Sequence, residues 1–193
     1  MALKHRKLGL RPRLSTVKIH FQKAGVTHEA DQQFKEKLGK SIKFRECEQQ
    51  DCQAVVVFCP VSSRIGTDID AALQQIPGDK PAVLVMMHHT YDLEAVVAES
   101  SRLVTRSDTV AVDCLFHETV RGLLRNCPTN ERAIRSAKIN LKKMKKKVKK
   151  REREKEKKRK KEEKKRKEEQ KKREKEEKKK RKKEEKEKGK KKN

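Results

Sequence analysis

The stretch AVVVFCPVSSRIGTDIDAALQQIPGDKPAVLVMM, residues 54–87, decides the fold. It begins and ends with six-residue apolar runs, Ala54–Cys59 and Ala82–Met87. Runs of this length, rich in β-branched residues, are typical of strands that are covered on both faces. Between the runs, apolar residues recur at helical spacing, namely Ile69, Ala72, Leu73 and Ile76. The stretch therefore predicts a right-handed β–α–β unit within a parallel sheet.

The segments on either side extend this alternation of strand and helix. Val17–Phe21 alternates apolar and polar residues and predicts a first, half-buried strand, and Thr109–Asp113 predicts a fourth. Five helices are predicted between and after these strands. The first is capped by Thr27 and ends at Gly39, the second spans Asp68–Ile76 and the third spans Asp92–Glu99. The fourth carries Phe116, Val120, Leu123 and Leu124 at helical spacing, and the fifth is capped by Asn130 and reaches Val148. We therefore predict a small three-layer α/β domain, with a mostly parallel sheet and helices on both faces.

Charge separates this domain from the two ends of the chain. The protein carries 55 Lys and Arg against 29 Asp and Glu, a net charge of +26. Residues 142–193 contain 34 basic and 13 acidic residues, whereas residues 25–141 have a net charge of −2. The predicted organisation is a basic N-terminal arm over residues 1–14, the α/β domain over 15–141, and a Lys/Arg/Glu-rich tail over 142–193.

The tail is composed almost entirely of strong helix formers. Most of its glutamates precede a basic residue by four positions, as Glu162 precedes Arg166, which is the favourable order for a helical ion pair. These features predict a solvent-exposed single helix, and the alternative is a disordered low-complexity segment. No apolar seam continues beyond Val148, so a coiled coil is not expected.

The tail also predicts the partners. Clustered Lys and Arg side chains displace counterions from phosphate backbones, and the tail has no aromatic residue to stack on bases. We expect the tail to bind RNA or DNA without sequence preference, or to act as a nuclear or nucleolar targeting signal through the same clusters. Cytoplasmic placement is the alternative location, and electrostatic attraction to anionic membrane surfaces is the alternative kind of binding. The clusters are Lys145, Lys146, Lys147, Lys149, Lys150, Arg151, Lys178, Lys179, Lys180 and Arg181.

The loop after the second predicted strand offers a candidate anion site. Just before a predicted helix, this loop carries the hydroxyls of Ser62 and Ser63, the guanidinium of Arg64, the glycine Gly66 and the hydroxyl of Thr67. Free backbone N–H groups at a helix N-terminus favour phosphate or carboxylate. The loop matches neither a Walker motif nor a dinucleotide fingerprint, and an ordinary capped loop is the alternative.

Titratable residues follow the third and fourth predicted strands. His88, His117 and Cys114 are secondary candidates, either as a Cys–His nucleophile and base or as histidines that hold a metal with an acidic residue. His88 and His89 are adjacent and would point to opposite faces of a strand, so only one of them enters a given site. We predict no metal site and no cofactor from these residues.

Five cysteines without a CxxC pair argue against a disulfide framework and against structural zinc, and they favour a reducing compartment. The longest apolar runs have six residues, far short of the ~20 that span a bilayer. The basic N-terminus has no apolar segment after it, so we expect no secretory leader.

Two resemblances add expectations. Residues 55–73, 80–90, 100–106 and 112–118 resemble a group of small bony-fish proteins of unassigned biochemistry that is associated with virus- or interferon-induced genes. More distantly, the strand, Ser-rich loop and Asp-bearing helix are similar to nucleotide-handling domains of the TIR and deoxyribosyltransferase-like groups. Those groups place a catalytic Glu on that helix, where this chain has Asp68 and Asp70.

Together these features predict a non-enzymatic intracellular protein, with the first resemblance implying an inducible innate-immune or antiviral factor. Its α/β domain would bind a protein or a small anion, and its tail would bind nucleic acid. The alternative is a nucleotide-binding or nucleotide-processing enzyme that uses the loop at Ser62–Thr67 with His88 and His117.

Overall fold

The computed structural model describes residues 16–120, 122–123 and 127–190, with side chains through residue 175 except at Val120. The predicted N-terminal arm at residues 1–14 lies outside this described part. The strands are β1 (Val17–Lys23), β2 (Phe44–Glu46), β3 (Ala54–Pro60), β4 (Ala82–His89), β5 (Thr109–His117) and β6 (Gly122–Leu123). The α-helices are α1 (Ala30–Ser41), α2 (Ile65–Gln74) and α3 (Pro128–Lys190).

The strands form one mixed sheet in the order β2-β1-β3-β4-β5-β6. All neighbours pair in parallel except β6, which pairs antiparallel with the end of β5. None of the described helices combines the length and the apolar character that a bilayer-spanning segment needs.

Helices cover both faces of the sheet. On one face, α1 and α3 pack against alternate strand residues through Phe34, Leu38, Ile134, Ala137 and Leu141. On the other face, α2 packs through Ile69 and Ala72, and Ile76 packs just after the helix ends. The side chains of β3 and β4 are buried on both faces up to Cys59 and Met87, as the two apolar runs predicted. The three-layer α/β prediction is therefore confirmed.

The four predicted strands are all present, and each extends further toward its carboxyl end than predicted. The sequence reasoning missed β2, because Phe44–Glu46 has only three residues, none of them fully buried, and is too short to show a period.

Two predicted helices are wrong. Residues 92–99 contain no α-helix, and the side chain of Val96 in the middle of this range is 98% exposed. The helix predicted from Phe116 is also absent, because Phe116 continues β5 and Leu123 lies in β6, while Leu124 is outside the described residues. A 3₁₀ turn at Glu118–Val120 follows β5 instead.

Gly122 explains why a strand reversal replaces the second of these helices. Its φ angle is +131°, a conformation that residues with a side chain rarely adopt. A Cβ atom at this position would also lie 2.5 Å from the side chain of Gln33. The side-chain oxygen Oε1 of Gln33 accepts a hydrogen bond from the Leu123 N–H at 3.1 Å. A contact with α1, far away in sequence, therefore overrides the local helical spacing.

The predicted caps are also wrong. The α1 N-cap position is Glu29 rather than Thr27, whose hydroxyl instead donates to the Asp31 carboxylate. Asn130 lies inside the first turn of α3, and its buried side-chain amide pairs with the backbone of Leu115 in β5. A tertiary contact with β5 takes the Asn130 side chain, whereas a local contact four residues further along the chain takes the Thr27 hydroxyl.

The C-terminal segment is helical, which decides between the two predicted alternatives. Helix α3 continues through the charged residues to Lys190. The apolar stripe of its first part is buried as far as Met144, and Val148 is half-buried. The chain divides into two compact units between Lys147 and Val148.

Candidate functional site

The carboxyl ends of the parallel strands meet at one edge of the sheet. In the order β2-β1-β3-β4-β5 the direction of winding reverses between β1 and β3, the place where ligands bind in doubly wound sheets. The loop at Ser62–Thr67 follows β3 and therefore lies beside this point. The sequence predicts only that this loop follows a strand, and its position beside the reversal follows from the strand order.

The backbone donors of this loop already hold a carboxylate. Oδ2 of Asp68 accepts hydrogen bonds from the N–H groups of Ser62 at 2.9 Å and Ser63 at 3.0 Å. The Ser63 hydroxyl donates to Oδ1 of the same residue at 2.8 Å. Burial raises the pKa of Asp68, but the hydrogen bonds from the two serines outweigh it and hold the pKa below its ordinary value. An external anion must displace this carboxylate to reach the same amides.

The other residues of the predicted site lie around the start of α2, which begins at Ile65 rather than at the predicted Asp68, so Gly66 and Thr67 belong to its first turn and not to the loop. Arg64 occupies the N-cap position of α2 and its side chain is exposed, as is that of Thr67. The space beside Gly66 is open, with no atom within 4 Å of where a Cβ would stand. The anion site stays a prediction, and its exposed guanidinium is the part most accessible to a ligand.

His88 takes part in a separate, half-buried polar cluster on the α2 side of the sheet. Its Nε2 lies 2.9 Å from Oδ1 of Asp113, and the Ser100 N–H donates to Oδ2 of Asp113 at 3.1 Å. The Ser100 hydroxyl also donates to Asp113. Serine and histidine thus both bind the carboxylate instead of each other, which is not the arrangement of a nucleophile and its base. The cluster fastens the segment between β4 and β5 onto the sheet.

This cluster gives a pH-dependent stability. Burial raises the pKa of Asp113, but hydrogen bonds from His88 and Ser100 outweigh it and place the pKa below the ordinary value of 3.8. The folded state therefore binds the proton of Asp113 less readily than the unfolded state does. The contribution of ionised Asp113 to the free energy of unfolding is present above about pH 4 and is lost as the pH falls below it. Urea unfolding at several pH values between neutral and acid measures this effect. The free energy of unfolding should fall more steeply with decreasing pH in the parent than in Asp113→Asn, and equal dependence on pH in the two proteins would contradict the prediction.

Cys114 is not placed for nucleophilic chemistry. The thiol is fully buried in the core beneath α1 and α3, on the opposite face of β5 from Asp113 and hence from His88. Burial, with the neighbouring Asp113 charge, raises the pKa of Cys114 well above its ordinary range, so the thiolate that attacks substrates is scarce. The structure does not bring the sequence-predicted cysteine and histidines together.

A second histidine cluster does form, and it contains a residue that the sequence reasoning left aside. His89 at the end of β4 hydrogen-bonds Glu118, and its ring stacks on that of His117 with centroids 4.6 Å apart. The hydrogen bond from His89 is the main cause of a pKa of Glu118 below its ordinary value. The alternation of His88 and His89 was predicted correctly, but their partners depend on the register of β4 against β5.

The charged part of α3 forms a different kind of candidate surface. Every described side chain from Lys149 to Lys175 is exposed. Ion pairs at i, i+4 spacing join Lys150 to Glu154, Glu156 to Lys160, Glu163 to Lys167, Lys164 to Glu168 and Glu169 to Arg173.

The predicted basic clusters lie on this helix, with different degrees of exposure. Lys146, Lys147, Lys149, Lys150 and Arg151 are exposed. Lys145 is half-buried and donates to the backbone carbonyl of Thr16 at 2.5 Å, so it also holds α3 against the start of β1. The second cluster, Lys178 to Arg181, lies in the helix, but its side chains are outside the described part of the chain.

Comparisons with protein-family models, with curated proteins and with solved structures returned no match to this chain. The two resemblances noted in the sequence therefore stay predictions.

Proposed function

We propose that this protein is a non-enzymatic nucleic-acid-binding protein whose C-terminal helix binds the phosphate backbone of RNA or DNA without reading its sequence. One observation carries the proposal. All described side chains from Lys149 to Lys175 are exposed, so the basic groups of this segment are accessible to a partner.

The charge density of this segment supports the proposal. Residues 149–175 contain 18 basic and 8 acidic residues, a net charge of +10. At a rise of ~1.5 Å per residue, these residues extend over about 40 Å, which is about one net positive charge per 4 Å. Duplex DNA carries one negative charge per ~1.7 Å of its axis. The helix is therefore a linear polycation of a density suited to a linear polyanion.

The glutamates explain how such a helix stays folded. Unrelieved repulsion between lysines at i, i+4 spacing would destabilise it, and each favourable pair contributes about 0.2–0.5 kcal/mol. Glu163 with Lys167 and Glu169 with Arg173, for example, approach within 2.7 and 2.8 Å. The acidic residues thus support the helix while leaving a large positive excess.

The same composition argues against sequence readout. Residues 142–193 contain no aromatic side chain, so stacking on bases, which is worth about 1–3 kcal/mol per base, contributes nothing there. The basic clusters at 145–151 and 178–181 also suit recognition as nuclear or nucleolar targeting signals, and we include this targeting in the proposal.

The alternative of a nucleotide-processing enzyme has less support. It requires the Ser62–Thr67 loop to act with His88 and His117. Asp68 already holds the loop amides, and His88 is held by Asp113. Among the described residues, no hydrogen bond or ion pair joins that loop to either histidine.

A salt titration tests the proposal. The association constant of the full-length protein for duplex RNA and duplex DNA is measured from about 50 to 200 mM salt. If six to ten phosphates are contacted, the constant should fall by roughly 10³–10⁵-fold over this range, with similar values for unrelated sequences. A slope near zero, or a strong preference for one sequence, would contradict the proposal.

A further inference from the structure

His89, His117 and Glu118 form a compact group at the carboxyl edge of the sheet. One ring nitrogen from each histidine and one carboxylate oxygen lie within 4.8 Å of one another. All three side chains are accessible, those of His89 and Glu118 being 46% and 49% exposed. A solvent ion can therefore reach the group without any rearrangement of the core.

The donor set determines which ion fits. Two imidazole nitrogens and one carboxylate oxygen are borderline donors that suit Zn²⁺ and the neighbouring divalent transition metals rather than Mg²⁺ or Ca²⁺. With Zn–N and Zn–O bonds of about 2.0–2.2 Å, ligand atoms in a tetrahedral site lie roughly 3.4 Å apart. His89 already hydrogen-bonds Glu118, and all three donor atoms lie within 4.8 Å of one another, which is close to these separations.

The scaffold holds the donors in place. His89 pairs in register with Phe116 across the β4–β5 ladder, and the next residue along β5 is His117. The ring of His89 also packs edge-on against Phe116, with centroids 5.4 Å apart. Two of the three donors thus lie at the ends of paired strands, and Glu118 follows directly.

Thr119 supplies a partner for one of the rings. Its hydroxyl lies 2.7 Å from Nδ1 of His117. A histidine that binds a metal through one ring nitrogen commonly hydrogen-bonds a polar group through the other, which fixes its orientation. The Thr119 N–H also donates to Nδ1 at 3.2 Å, which places the proton of the neutral ring on Nε2. Metal binding at Nε2 therefore requires the other tautomer, in which Nδ1–H donates to the Thr119 hydroxyl and the contact from the Thr119 N–H is given up.

From these observations we propose that His89, His117 and Glu118 bind one divalent transition-metal ion, with Zn²⁺ as the best match. Three protein ligands leave the fourth tetrahedral position open to water or to a further ligand. The proposal concerns the α/β domain alone and does not depend on nucleic-acid binding by α3.

Calorimetric titration of the untagged full-length protein with Zn²⁺ tests the proposal. We expect one saturable site, and its affinity should fall at least about tenfold in His89→Gln and in His117→Gln, because even loss of a residue that only orients a ligand costs 10–100-fold. Glu118→Gln should also weaken binding. His20→Gln is the matched control, since His20 contacts the backbone of Cys47 and should leave the affinity unchanged.

Titration with Co²⁺ separates this site from the cysteines. Cobalt bound by nitrogen and oxygen gives visible ligand-field bands, and thiolate ligands add an intense near-ultraviolet charge-transfer band. We expect the visible bands alone, and expect the two His→Gln variants to lose them while keeping the parent's far-ultraviolet circular dichroism. The proposal is wrong if the parent shows no saturable binding, if both variants bind as the parent does, or if the thiolate band appears.

Discussion

Removal of residues 148–193 should lower the affinity for duplex RNA or DNA at least about 100-fold near 0.1 M salt, because most of the counterion release is lost. The removed segment contains 29 basic and 13 acidic residues, a net charge of +16, and leaves a chain with a net charge of +10. The salt slope should fall in parallel with the affinity. Fluorescence anisotropy with a labelled duplex at several salt concentrations measures both quantities.

A full-length variant separates charge from helix length. Replacing Lys157, Lys158, Lys160, Lys161, Lys164 and Lys165 by Gln removes six positive charges, and Gln is close to Lys in helix propensity. This variant should bind more weakly and with a shallower salt slope, whereas Lys→Arg changes at the same positions should retain both. If the truncated protein binds as tightly as the parent, the helix is not the binding element and the proposed function is wrong.

Asn130→Ala should lower the free energy of unfolding by about 2–6 kcal/mol, because it leaves two backbone groups unsatisfied at about 1–3 kcal/mol each. Asn130 is 1% exposed. Its Oδ1 accepts from the Leu115 N–H at 2.7 Å, and its Nδ2 donates to the Leu115 carbonyl at 2.9 Å. The side chain thus pairs with β5 as a neighbouring strand would.

Urea unfolding followed by circular dichroism measures this loss. Asn140→Ala is the matched control in the same helix, because the Asn140 amide donates within α3, to the carbonyl of Ser136 at 2.9 Å and to its hydroxyl at 3.3 Å. That substitution should change stability by no more than about 0.5 kcal/mol. A loss below about 1 kcal/mol in Asn130→Ala would show that the pairing with Leu115 matters little.

These two predictions differ in how far the sequence anticipates them. The polybasic helix follows from composition and i, i+4 spacing, which are local properties. The role of Asn130 does not, because an Asn near a helix start is the usual signal for an N-cap. Only the packing of α3 beside β5 shows that its amide faces a strand.

The candidate site likewise has features that the sequence predicts and features that it does not. The sequence located the Ser62–Thr67 loop, since a loop that follows a buried strand must emerge at its carboxyl end. It did not reveal that Asp68 would turn back onto the loop amides, because that depends on the angle at which α2 begins. It separated His88 from His89 by strand alternation but gave neither histidine its partner.

The sequence by itself determined the charge separation, the buried strands β3 and β4, the three-layer α/β class and the helical potential of the charged segment. Each of these depends on residue type and on short-range spacing. Only the tertiary structure decided the strand order, the reversal at Gly122 and the grouping of His89 with His117 and Glu118. The physical reason is that these features depend on contacts between residues distant in sequence, whose energies override local preference.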